Sequence, residues 1–263
     1  MESQKTVTKI TMDDNITPKK LEEFINYLAV MHKWPRIDWG GAPKQTYIIA
    51  AAGRDGSSLL SDLLYQTEVA GAPVEFLHTN DKGLYKRARN CSDFSMDKYI
   101  ELIIANTTTP NGVFGDKDFY YRHLFFNFPF DKYNPKYIYL SRRDKIRQGI
   151  SLYKARMSGK WNSLGITSRE LTEDDFSYEQ ISRRISWVTA QDAAWLQFFK
   201  QRNITPCHVI YEEFIEDMGG TVSRVLKETL NIDFPSEKVP ASILEKQSDE
   251  LSEYFYKRMI KKH

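Results

Sequence analysis

The chain holds only two cysteines in 263 residues, Cys91 and Cys207, with no CxxC spacing. That excludes a disulfide framework and a cysteine zinc knuckle, and a reducing, cytoplasmic setting is expected. The five histidines, at 32, 78, 123, 208 and 263, show neither HxxxH nor HExxH spacing, so no metal site is expected. No run approaches the ~18 apolar residues of a membrane span, and the opening MESQKTVTKITMDD lacks the apolar core of a secretory signal. Charge of one sign is also missing: 37 basic and 35 acidic residues leave a net +2. Neither an acidic solvating chain nor a bulk nucleic-acid binder has that balance, and any basic site must be local. What is present is ordinary globular material, 41% hydrophobic and 27% charged, with fifteen Phe and fifteen Tyr for core and pockets.

Two regions read differently. Residues 1–45 are expected to form an N-terminal helical extension. Thr17 is placed to cap and Pro18 to start a helix running to His32, with Leu21, Phe24, Ile25, Leu28 and Met31 on one face. From Thr46 onward (46–263) apolar runs alternate with helical periodicity. Strands are expected in TYIIAAAG, VAGAPVEFL, NGVFGDKDF, KYIYLSRRD and CHVIYEEF, with helices between and after them. This is the pattern of an α/β fold, a parallel sheet flanked by helices. The polar stretch from Trp161 to Tyr178 reads as an irregular loop or lid.

Four segments carry chemistry. TYIIAAAG runs into Arg54-Asp55-Gly56-Ser57-Ser58 and then a helix. A glycine-bearing strand-to-helix turn aims backbone N–H groups and a positive helix end at one point, a cradle for phosphate or sulfate. The plain alternative is an empty turn capped by Asp55. The segment is neither a Walker A loop, lacking GxxxxGK[ST], nor a GxGxxG fingerprint. At the end of KYIYL, where an NTPase often carries a magnesium-binding acid, stand Ser141-Arg142-Arg143, with Asp144 as a helix cap and Gln148 and Ser151 on the turns that follow. Two anion sites at neighbouring strand ends suit a nucleotide with phosphates at two positions, used without metal. Glu75 closes the second expected strand; amid Val, Phe and Leu its pKa is expected to rise toward that of a general base, with ribose binding or an arginine pair as alternatives. Lys117, in NGVFGDK, is expected at the same ligand edge, or as an ordinary surface lysine.

YIIAAAGRDGSSLLSDLL, VAGAPVEF, PNGVFGDK, YLSRRDKIRQGISLYKARMSGKW and ILEKQSDE occur in an order that resembles the bacterial sulfotransferases typified by the trehalose 2-sulfotransferase family, over about Thr46 to Met259. The resemblance implies a P-loop-like sulfotransferase fold and 3'-phosphoadenosine 5'-phosphosulfate (PAPS) as donor, with its bisphosphate (PAP) as product. It implies that the 54–58 loop holds the 5'-phosphosulfate. Arg142, with Gln148 or Ser151, would hold the 3'-phosphate; Glu75 would be the catalytic base, and Lys117 would lie near the transferring group. Where that family usually has neutral residues, this chain has Asp55 and Asp118. If those carboxylates face the acceptor, it is a cationic natural product, a guanidinium or amine; the alternative is a carbohydrate, and the non-enzymatic alternative a nucleotide-binding scaffold. A small-molecule acceptor is the expected partner, with no nucleic acid and no membrane. Members of the family dimerise, which leaves a homodimer open.

Overall fold

The computed structural model describes residues 42–79, 84–161, 168–244 and 248–261; the helix expected over residues 18–32 lies outside them. Four parallel strands, β1 (Gln45–Ala51), β2 (Val113–Phe119), β3 (Lys136–Ser141) and β4 (Cys207–Ile210), stand in the order β2-β1-β3-β4. Nine helices join and flank them among the described residues: α1 (Ser57–Gln66), α2 (Leu84–Ala88), α3 (Met96–Thr107), α4 (Tyr120–Phe125), α5 (Lys145–Ser158), α6 (Tyr178–Gln201), α7 (Tyr211–Phe214), α8 (Met218–Leu230) and α9 (Glu250–Ile260). The α/β class expected from the sequence is the fold observed.

Continuous apolar strands follow from burial on both faces. In β1, Ile48 and Ala50 pack with Phe76, Tyr99, Ile103, Phe114 and Trp195, while Tyr47 and Ile49 pack with Leu60, Leu64, Val222 and Leu226. Ligand-bearing loops then collect at the C-terminal ends of the strands, because every strand points the same way.

One expected strand does not form. VAGAPVEFL contributes a single parallel bridge, Val74 to Asp116, on the outer side of β2. Gly71 at φ 79° bends the chain before it, and Pro73 has no N–H to give to a ladder. The segment still docks, since the Lys117 N–H donates to the Val74 carbonyl at 3.0 Å. The stretch from Trp161 to Tyr178, expected as an irregular loop or lid, is largely without regular structure in its described part. Residues 168–177 contain a short 3₁₀ turn (Glu173–Asp175) with a Thr172 capping box, and the Tyr153 hydroxyl donates to the Asp175 carbonyl at 2.5 Å. Asp144 caps α5 as expected, accepting the Arg147 N–H at 2.8 Å.

Candidate active site

The β1–α1 loop is built around a buried carboxylate. Asp55, fully buried, accepts from the N–H groups of Ala52 (2.7 Å) and Gly53 (3.0 Å) with one oxygen and from Ser57 (3.1 Å) with the other. From outside, Trp195 Nε1 donates to the Ala51 carbonyl (3.1 Å), Gln148 Nε2 to Gly53 (2.7 Å) and Arg142 Nη1 to Arg54 (3.3 Å). Gly56 caps α1 at φ 91°, and a Cβ there would meet the Tyr211 ring at 2.6 Å, so only glycine fits. With the Ser57 N–H already engaged, Ser58 and Leu59 present the remaining first-turn N–H groups of α1, which helix geometry leaves without intrahelical acceptors.

Two arginines flank that helix end. The Arg142 guanidinium lies 4.5 Å above the Tyr211 ring centroid, and Arg54 Nε donates to Ser151 Oγ at 2.9 Å. Burial, helped by Arg142 and opposed by Asp55, lowers the Arg54 pKa from its ordinary value. Arg54, Ser57, Ser58, Arg142 and Ser151 line one cleft of about 1320 Å³. Arg143 points elsewhere and pairs with the exposed Glu213.

On the other side of Ser58 sits Glu75. Its Oε1 is 3.2 Å from Lys117 Nζ, and its Oε2 is 2.8 Å from Arg122 Nη2 and 3.6 Å from His78 Nε2. Lys117 Nζ also donates to Ser58 Oγ at 3.2 Å, which ties the anion loop to the carboxylate. Behind Glu75, Arg122 is 1% exposed and pairs with Asp118, also 1% exposed, at 2.9 Å. Burial alone would raise the Glu75 pKa; Lys117, Arg122 and His78 outweigh it and hold the group near 2, against an ordinary 4.5. Burial likewise opposes the Arg122 charge, and Asp118 and Glu75 reverse the sign and raise its pKa. Asp116 is fully buried, and burial followed by the Asp118 charge drives its pKa well above the carboxylate range.

Comparison with known proteins places the whole chain beside this geometry. The family model for Stf0 sulphotransferase matches residues 46–262. The chain belongs to the Stf0 sulphotransferase family. It is similar to the trehalose 2-sulfotransferase of Mycolicibacterium smegmatis (strain ATCC 700084 / mc(2)155), at 24% identity over 253 residues, covering 81% of this chain and 93% of that one. The solved sulfotransferase domain from the Synechococcus PCC 7002 olefin synthase shares 16% identity with a TM-score of 0.46, covering 77% of this chain and 78% of that one.

In this Stf0 sulphotransferase, Arg54, Gly56, Ser57, Ser58, Arg142 and Ser151 border one cleft, and Glu75 and Lys117 meet beside it. Three expectations change. Gln148 is fully buried, with its amide on the Gly53 carbonyl and its oxygen accepting from Lys145 at 3.1 Å, so it braces the loop and presents nothing to a 3'-phosphate. Asp55 and Asp118 do not face an acceptor; one is closed inside the loop and the other is held by Arg122. Glu75 has a lowered pKa where a raised one was expected, because Lys117 and Arg122, with His78 when it is protonated, face it. Arg122 was not read from the sequence at all. Its four-residue spacing from Asp118 was the available signal, hidden because the pair spans the end of β2 and the start of α4.

Proposed function

We propose that the protein transfers a sulfuryl group from PAPS to a hydroxyl of a small acceptor. The observation that carries this reading is Lys117, whose ammonium lies 3.2 Å from both Ser58 on the anion loop and Glu75. The 5'-phosphosulfate would lie against the Ser58 and Leu59 N–H groups with Arg54; Arg142 and Ser151, further along the same cleft, fit a 3'-phosphate. The acceptor oxygen attacks sulfur, its proton passes to Glu75, and the S–O bond to the 5'-phosphate breaks to release PAP. Loop N–H groups, Arg54 and Lys117 stabilise the charge on the sulfuryl oxygens and leaving phosphate, so catalysis is mostly positioning and electrostatics.

A carboxylate held near pKa 2 is a weak base at rest. Donor oxygens arriving beside Ser58 draw Lys117 toward themselves, and Glu75, left with one fewer cation, recovers basicity when the acceptor must lose its proton. The donor thereby prepares the base.

The cationic-acceptor reading rested on Asp55 and Asp118, which are buried, and loses that support. A carbohydrate hydroxyl is favoured instead by the name of the mycobacterial relative. Residues 46–263 would form the transferase domain and 1–45 an extension. No helix among the described residues is long and apolar enough to cross a membrane, and Cys91 and Cys207 are both free thiols, which suits the cytoplasm.

Calorimetry with adenosine 3',5'-bisphosphate, with magnesium and with a chelator, tests the donor; equal binding in both is expected. Binding only to a nucleoside triphosphate with magnesium would replace this reading with phosphoryl transfer. Binding with no turnover of labelled PAPS on any acceptor would leave the scaffold.

A further inference from the structure

Beside Glu75 the surface ends in three aromatic rings. Phe119 closes β2, Tyr121 lies in α4 and Trp187 in α6. Phe119 and Tyr121 are near parallel, 8° apart with centroids at 6.1 Å, and Trp187 meets them edge-on at 6.2 and 6.0 Å. The group touches both halves of the site. A Cβ on Gly53 of the anion loop would lie 3.2 Å from Phe119 and 3.9 Å from Trp187. The Arg122 guanidinium, which holds Glu75, sits 4.4 Å from the Phe119 centroid. Yet the rings are not core. Tyr121 is 44% exposed, and Phe119 and Trp187 are partly exposed. Flat, half-covered rings at a reactive centre are material for holding the face of a ligand.

The rim of this platform is basic. The Tyr121 N–H donates to Gln191 Oε1 at 3.2 Å; Gln191, Trp187 and Arg184 follow one another at helical spacing, so Arg184 lies on the platform side of α6. Helix α5 runs antiparallel to α6: Lys145 pairs with Asp192, Gly149 abuts Ile185, and Leu152 packs with Val188 and Trp187. One turn beyond Leu152 comes Arg156, whose charge is felt by both Tyr121 and Arg184. Among the described residues neither Arg156 nor Arg184 has a carboxylate partner, and the Arg184 Nε is buried without a hydrogen bond. The nearby acids are committed, Glu75 and Asp118 to Arg122 and Glu179 to Arg183. An oxyanion would satisfy both arginines.

We propose that Phe119, Tyr121 and Trp187 form the floor, and Arg156 and Arg184 the rim, of an acceptor subsite for a ring compound that carries an oxyanion besides the hydroxyl it presents to Glu75. The inference rests on the sulfuryl-transfer reading and deepens it. It reverses the sign of acceptor charge expected from the sequence, because the acids that suggested a cation are buried and the charges beside the rings without a carboxylate partner among the described residues are arginines.

The test is labelled-PAPS transfer to matched series: glucuronate, glucose 6-phosphate, glucose and glucosamine on a pyranose ring, and 4-hydroxyphenylacetate, its methyl ester and tyramine on an aryl ring. In at least one series the anionic member should exceed the neutral one in kcat/KM by tenfold or more. Arg156→Gln with Arg184→Gln should bring that ratio close to one, with bisphosphate affinity unchanged. Tyr121→Ala should raise acceptor KM across the series. The two pyranose anions separate carboxylate from phosphate. The proposal falls if neutral or cationic members are used as well as anionic ones, if the double variant keeps the preference, or if no member is sulfated while bisphosphate binds. Loss of bisphosphate binding itself would instead sink the donor reading.

Discussion

Asp55 and Glu75 are both carboxylates beside the same helix end, and their surroundings give them opposite work. Three backbone N–H groups close around Asp55, which has no exposure and no path to a ligand. Glu75 faces Lys117, Arg122 and His78 and keeps 22% of its side chain exposed. Neutral dipoles in fixed positions make a structural anion that shapes a loop. Charged side chains beside a partly open face make an anion whose proton affinity depends on where those charges sit. The lesson extends to the regions around them: the β1–α1 loop is a stretch of backbone held in shape, and the surroundings of Glu75 are a charge network held in balance.

The comparison can be broken most strongly at Glu75. Glu75→Gln keeps shape and removes the proton acceptor, so kcat should fall about 10²–10⁴-fold with bisphosphate affinity nearly constant. A fall in donor affinity with kcat preserved would make Glu75 a ribose ligand. Next in size is Asp118→Asn, which leaves the buried Arg122 charge to Glu75 alone; about 1.5–3 kcal/mol of unfolding stability should go, read by urea titration. A silent Asp118→Asn would show that the acceptor-side network is not held from behind.

On the donor side, Arg142→Ala should weaken adenosine 3',5'-bisphosphate by about 1.5–3 kcal/mol, the range for a charge-assisted hydrogen bond, and affect an analogue without the 3'-phosphate less. Equal losses on both nucleotides would move the 3'-phosphate away from Arg142. The smallest effect is a shift along the pH axis. Glu75 stays ionised to about pH 2, so in the free protein it places no acid limb in kcat/KM above that region. Lys117→Ala leaves burial less opposed, so the Glu75 pKa rises and an acid limb should enter the residual activity at higher pH. Stability follows the same sign: the lowered pKa favours folding above the ordinary 4.5, and that contribution is lost as pH falls toward 2. An unmoved limb in Lys117→Ala would show that Lys117 does not set the charge state of Glu75.

The geometry of the β1–α1 loop was legible because its parts are consecutive. A buried strand, two glycines and a helix start within 46–66 specify where the N–H groups point, whatever surrounds them. The Asp144 cap was legible for the same reason. Misreadings gathered where a side chain has a choice of direction. Gln148 lies on the right helix turn, but its amide turns inward to Gly53. The expected strand 69–77 kept its place at the sheet edge and lost its ladder to Gly71 and Pro73.

By itself the sequence determined the α/β class, the glycine-bearing turn between β1 and α1, the Asp144 helix cap and the family, all of which depend on local pattern and short spacing. Only the tertiary structure decided the electrostatics of Glu75 and the company of rings beside it. Those depend on Glu75, Lys117 and Arg122 arriving from beside the bridge at Val74, from β2 and from α4, segments apart in the chain that packing brings within a few ångströms, and on Trp187 of α6 meeting Phe119 at the end of β2. A charge at such distances shifts a neighbour's pKa by units, and it counts only once the fold has fixed who the neighbour is.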